Sequence, residues 1–271
     1  MKKKLVLGLL VFVALFTITG CGSKKEDSKE ITDNNKTTNS VECKYDGELT
    51  GGVTFEKDGY KYDYLVSKEG WHVEYDKSKK TEPNSKICSS INNKPIISMR
   101  VMFSGVNTSS GFDFTTIDAS KFDTSNVESM EQMFHRTTAE IKVKGMDTSK
   151  VNDMSYMFQY TSYPELDLST FNTSNVTNME AMFSYSRVKN LDLTSFDTSK
   201  VTNMSRMFAY FYGDTIDLSS FDFNSVTKSD SMFSSIDHPV TIYVKSQEQL
   251  EKLKTLDYHL DGSKYITISV K

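Results

Sequence analysis

From Leu166 to Phe183 the chain reads LDLSTFNTSNVTNMEAMF, and from Leu191 to Phe208 it reads LDLTSFDTSKVTNMSRMF. Apolar and polar positions recur in the same order. Leu166 and Leu168 alternate around Asp167, the two-residue period of a short strand with one face inward. Val176, Met179, Met182 and Phe183 then follow at helical spacing, on one side of about two turns. Between them, Asn172, Thr173 and Ser174 are short polar residues suited to a turn and a helix N-cap. Each unit is therefore predicted to be a strand, a corner and a short helical segment.

Aligned on F-D-T-S-x-V-x-x-M-x-x-M-F, the copies begin at Phe122, Met146, Phe171, Phe196 and Phe221, with spacings of 24, 25, 25 and 25 residues. A fixed period in this range signals a solenoid. Energetics require the stacking. Seven inward side chains give roughly 10 to 20 kcal/mol, whereas ordering 25 backbones costs on the order of 25 to 50 kcal/mol, so a unit must share hydrogen bonds and apolar faces with its neighbours. Twelve of the thirteen methionines fall in the motif or in its degenerate first copy, SMRVMF at Ser98 to Phe103. Unbranched methionine suits a crowded column of identical residues, so Met179, Met182, Phe171 and Phe183 are expected to be interior. The last copy, FDFNSVTKSDSMF, has Ser229 in place of a motif methionine, as a terminal capping repeat can.

The flanks carry other periods. GVTFEKDGYKYDYLV places two alternating runs around Asp58 and Gly59, a hairpin signal, and WHVEY and KICSSINNKPIIS add strands. Residues 41–98 read as a small β-rich N-terminal cap and residues 99–235 as the solenoid. After it, VTIYV, SQEQLEKLKTL with a capping-box start at Ser246 and Gln249, and YITISV form an α/β C-terminal cap over residues 236–271.

The amino terminus adds a destination. MKKK precedes an apolar run too short to span a bilayer comfortably, then ITGC. This layout looks like a bacterial lipoprotein signal over residues 1–20, with Cys21 carrying lipid and anchoring the chain to the membrane. Removing it takes away three lysines and no acid, changing the formal charge from −4 to −7. Nucleic acid is thereby an improbable partner, since phosphate binding relies on clustered Lys and Arg. Residues 22–40, polar with the single aliphatic Ile31, read as a flexible tether behind the lipidated cysteine, with a reach of roughly 25 Å. Two cysteines remain. Cys43 and Cys88 are expected to be a disulfide in an exported protein, stabilising by about 4 kcal/mol, with a free thiol as the second reading.

The repeat phrase, its near copies and the preceding INNKPIISMRVMFSG resemble the BspA-like leucine-rich-repeat surface proteins of bacteria, over about residues 87–244. The resemblance implies a right-handed leucine-rich-repeat-like solenoid on the bacterial exterior, with adhesion to host or microbial proteins as the usual suggestion.

Chemistry is sparse. His72, His135, His238 and His259 are isolated, and no metal-binding, nucleophile-elbow or phosphate-loop motif occurs, so no catalytic residue, metal or cofactor is assigned and the chain is read as a non-enzyme. Asp118, Asp167, Asp192 and Asp217 take the outward position of successive strands, roughly 5 Å apart, with Lys142 interrupting. A calcium ladder is one reading of that column; a solvated, edge-protecting face is preferred. Two residues after each motif-ending phenylalanine come Arg136, Tyr160, Tyr185, Tyr210 and Ser235. The three tyrosines are either a turn ladder packed on itself or an aromatic contact stripe. Together these observations suggest a lipid-anchored surface protein whose solenoid binds an extracellular protein. A carbohydrate or cell-wall module and a structural spacer are the alternatives.

Overall fold

The computed structural model describes residues 40–50, 52–76, 87–105 and 115–271. The expected signal peptide, the expected lipidation site Cys21 and nearly all of the expected tether lie outside the described residues.

The amino-terminal part is a six-stranded sheet of β1 (Glu42–Cys43), β2 (Thr54–Lys57), β3 (Tyr60–Leu65), β4 (Gly70–Tyr75), β5 (Ser90–Ile91) and β6 (Lys94–Ser98). Its spatial order is β1-β5-β6-β4-β3-β2. The β2–β3 hairpin turns through Asp58 (φ 52°) and Gly59 (φ 87°), the left-handed pair that a two-residue hairpin loop needs. Alternation buries Tyr60, Tyr62, Trp71 and Val73 on one side. Cys43 and Cys88 are bonded to each other and buried.

No seam separates this sheet from the repeats. Ser98, at the end of β6, bridges to Ser129, and the parallel bridges continue through Asp153, Asn178, Asn203 and Lys228. A second series of parallel strands runs along the other side: β7 (Thr116–Asp118) with β8 (Glu140–Lys142), then β9 (Asn190–Asp192), β10 (Thr215–Asp217), β11 (Val240–Val244) and β12 (Ile266–Val270). One hydrophobic core runs from Cys43 to Leu260. The solenoid of about 25-residue turns is thus present as expected. All twelve motif methionines are interior, none more than 1% exposed. Phe103, Phe134, Phe158, Phe183, Phe208 and Phe233 form a stack with centroids 5.2 to 6.0 Å apart.

The expected helical segment differs. Among the described residues the one α-helix is α1 (Gln247–Leu256), in the C-terminal cap. From Met154 to Thr161, alternate amides leave the turn: those of Met154, Tyr156, Phe158 and Tyr160 donate to carbonyls of Asn178, Glu180, Met182 and Ser184 at 2.8 to 3.0 Å. The intervening Met157, Gln159 and Thr161 donate three residues back within their own turn. A helix would direct every amide to the fourth residue back. Here half of them bind the next turn, which brings Met and Phe inward at a spacing that imitates a helix.

The corner residues have separate tasks. Asp123, Asn172 and Asp197 each accept from the amide of the serine two positions on, closing an Asx-type turn. Thr173 Oγ1 donates to Asp197 O at 2.8 Å and accepts from Asp197 N at 2.8 Å, and Thr148 and Thr198 do the same to Asn172 and Asp222. In these three copies the motif threonine stitches one turn to the next with a donor and an acceptor on one atom. The equivalent Thr124 Oγ1 of the first full copy is buried without a hydrogen-bond partner among the described residues, and the last copy has Phe223 there.

At the far end the cap supplies what another turn would have supplied. Phe233 N donates to the buried Asp257 carboxylate at 2.6 Å, in place of the carbonyl that earlier turns offer. Ser229 Oγ donates to Leu256 O at 2.8 Å, which accounts for the serine in this copy. Gln249 Nε2 satisfies the carbonyls of Leu218 and Phe221, both at 2.8 Å, while Ser246 Oγ caps α1 by accepting from Gln249 N.

Candidate binding face

The stacked M-x-x-M-F turns form one long ridge whose methionines and phenylalanines point inward and whose longer outward side chains are half-buried or exposed. The alternating hydrogen bonds place two residues of every turn in the left-handed region: Tyr156 and Tyr160 at φ 59°, Ala181 and Tyr185 at 50° and 57°, Arg206 and Tyr210 at 57° and 56°. Gly105 holds the equivalent position of the first copy at φ 69°, so the turn rather than the tyrosine sets the conformation. For a residue with a Cβ this geometry costs on the order of 1 kcal/mol, yet the central copies carry tyrosine there.

Those tyrosines form a continuous column. Tyr160 and Tyr185 stack at 4.3 Å with planes 13° apart, and Tyr185 and Tyr210 at 4.3 Å and 9°. Arg136 lies over the other side of Tyr160, its guanidinium carbon 5.1 Å from the ring centre, and His135 meets that ring edge-on. The column is neither buried nor fully free: Tyr210 is 38% exposed, and Tyr160 and Tyr185 are half-buried. Hydroxyls are linked as well. Partial loss of hydration and then the hydrogen bond to Tyr210 push the Tyr185 phenol up to about 12, while Ser235 and Tyr185 draw that of Tyr210 below the ordinary tyrosine value.

A second, shorter column stands beside the first. Arg187 lies 4.8 Å from the ring centre of Tyr212, which is 38% exposed, and His238 stacks on Tyr212 at 6.0 Å. Tyr156 turns its hydroxyl to Glu180 across the ridge. Phe211, close in sequence, is fully buried against Phe208, and Tyr163 lines a cleft on the strand side with Lys142 and Asp167.

Arginine usage marks the same ridge. The chain has only four arginines among its 32 basic residues. All four, Arg100, Arg136, Arg187 and Arg206, fall in the windows 99–107, 130–138, 179–187 and 204–212, and no lysine falls in any of these. This signal was available in the sequence but is invisible to a search for catalytic motifs. Arg100 pairs with Glu131 at 3.9 Å and Arg206 with Glu180 at 3.8 Å. Arg136 and Arg187 lie on aromatic rings, and neither takes part in the ion pairs found among the described residues.

The aspartate column serves local turns. Asp118, Asp167, Asp192 and Asp217 each accept from the amide of the residue two positions on, Ser120, Ser169, Thr194 and Ser219. Asp167 also meets Lys144 at 3.0 Å; the Ser169 hydroxyl first and Lys144 second hold its carboxyl down to about 2. Among the described residues no group of three or more His, Cys, Asp or Glu side chains is arranged to hold a metal ion.

The fold and ridge belong to a bacterial repeat protein. A family profile described as "Mycoplasma protein of unknown function, DUF285" matches residues 77–140 and 136–242. That is more than half of the chain, which therefore belongs to this family. No curated protein and no solved structure matches the chain.

Proposed function

We propose that the protein is a non-catalytic binding module of the bacterial surface, held at the membrane by lipid on Cys21, and that it captures an extracellular protein on the tyrosine ridge. The observation carrying this reading is the three-ring stack itself: large side chains held in register at 4.3 Å, partly exposed, on a backbone conformation that disfavours them. Tyrosine offers large contact area with few rotors to immobilise and is enriched at protein interfaces. The buried disulfide agrees with an oxidising, extracytoplasmic setting.

Ring geometry weighs against the carbohydrate alternative. Sugars stack on open aromatic faces, but Tyr160 is covered by Arg136 and Tyr185, and Tyr212 by Arg187 and His238. Edges, hydroxyls and the face of Tyr210 turned away from Tyr185 remain. The test is a binding screen against extracellular-matrix proteins alongside a glycan array, repeated with a Tyr160→Ala, Tyr185→Ala, Tyr210→Ala variant. A protein ligand lost by the folded triple variant, at about 2 kcal/mol or more per anchor, supports the reading. A glycan ligand, or a protein ligand that the variant retains, overturns it.

A further inference from the structure

Resting on that reading, we infer that the ridge recognises an extended acidic polypeptide segment, whose carboxylates are taken by Arg136 and Arg187. Of the four arginines on the ridge, Arg100 and Arg206 meet Glu131 and Glu180, whereas Arg136 and Arg187 are exposed and lie on Tyr160 and Tyr212. A guanidinium packed on a ring keeps its N–H edge open, and that planar fork matches a carboxylate in two-point contact. The rings fix two such forks before any ligand arrives, which lowers the entropy lost on binding.

Spacing selects the ligand's shape. Arg136 and Arg187 are two turns apart, roughly 10 Å along the axis, and two residues apart across it, so the forks are separated by about 12 Å. In an extended chain, residues i and i+4 point the same way and are about 13 Å apart. Between the forks such a chain would cross the exposed edges and hydroxyls of the tyrosine column, which can bond its peptide groups. Charge sets the direction of the footprint: Glu131 and Glu180 on the turns of Arg136 and Arg187 are offset by Arg100 and Arg206, whereas Asp230 and Asp237 on the last turn, beyond Tyr212, pair with no arginine among the described residues and repel an acidic chain there. The ligand therefore lies over the central turns.

The test uses a labelled 13-residue peptide with Glu at positions i and i+4 in a Gly/Ser/Thr background, read by fluorescence anisotropy on the full chain. The comparison probes are a peptide with Lys at those positions, one with Glu at i and i+2, and a heparin-derived oligosaccharide. We expect the i,i+4 acidic peptide to bind best and to weaken with added salt. Arg136→Gln with Arg187→Gln should reduce its affinity roughly tenfold or more. Arg136→Lys with Arg187→Lys, which keeps charge and loses the fork, should fall between, and it stands in for the Gln variant if that fails to fold. Equal binding by the folded variants, no preference for the i,i+4 spacing, no acidic-peptide binding at all, or tighter Arg-dependent binding of heparin would each overturn the inference. If only the peptide arms fail while the tyrosine triple variant still loses a protein ligand, the binding ridge stands and its acidic specificity falls. Failure of both removes the ridge as the site.

Discussion

Two faces built from the same repeats fare differently. On the turn face the bridges run without a gap from Ser98 to Lys228, and the phenylalanine stack beneath continues through six rings. On the strand face the sheet is interrupted: β7 and β8 pair, β9 to β12 pair, and the segment containing Leu166 joins neither group. The break toward β8 has a local cause. Lys189 N donates to Pro164 O and Asp214 N to Lys189 O, the rung that each turn is meant to add at this level. Pro164 has no amide with which to reach the preceding turn. On that side a ladder of single backbone bonds is cut by one proline, whereas the turn face, backed by buried columns and sending every second amide to the next turn, tolerates a change of residue type. The repeat is most robust where its apolar side chains and its hydrogen bonds follow the same register.

Three measurements would break or sharpen that contrast. The largest effect is expected from Phe183→Ala, which empties a rung of the buried stack and should cost about 3 to 5 kcal/mol in urea unfolding. Leu166→Ala, at the interrupted face where the side chain is only half-buried, should cost about 1 to 2 kcal/mol. Equal losses would mean that the strand face is as tightly held as the turn face. An intermediate effect is expected from Thr173→Val, which keeps shape but leaves the amide and carbonyl of Asp197 without their partner; thermal unfolding should report about 1 to 3 kcal/mol. Smallest in stability, though clear in hydrogen exchange, is the proline. Amides at residues 165–168 should exchange faster than those of β9 and β10, and Pro164→Ala should narrow the difference by restoring a donor. Uniform protection along the strand face of the parent chain would remove the interruption altogether.

Much of this was legible in the sequence because repetition multiplies weak signals. One M-x-x-M-F says little; five in register identify a solenoid, its period and its interior. The Asp58-Gly59 hairpin, the cystine and the C-terminal helix start were readable for the same reason that short motifs usually are: the turn or cap chemistry is local. The error at Val176 to Phe183 is equally physical. Inward residues three and four apart fit a helix, but they also fit paired left-handed turns whose alternate amides bind the next turn, and a single unit cannot reveal where its amides go. The tyrosine column was visible as spacing, while its half-buried state and the place of Arg187 and His238 in a second column depend on how turns align across the axis. Asp167 and Asp192 looked like a row of free carboxylates because the alternation of the strand is visible in sequence, and their bonds to Ser169 and Thr194 are made at the corner just beyond it.

The cap that ends the ladder also makes its length adjustable. Asp257, Gln249 and Ser229 satisfy the last turn without requiring any particular number of turns before it. Each turn offers its successor nearly the same sockets that it received. A gene that gained one repeat's worth of coding sequence between the caps would lengthen the ridge by roughly 5 Å and add one more rung to its columns, leaving both ends as they are. The span of the ridge is thus set by copy number, and a lineage can lengthen or shorten it without inventing a new fold.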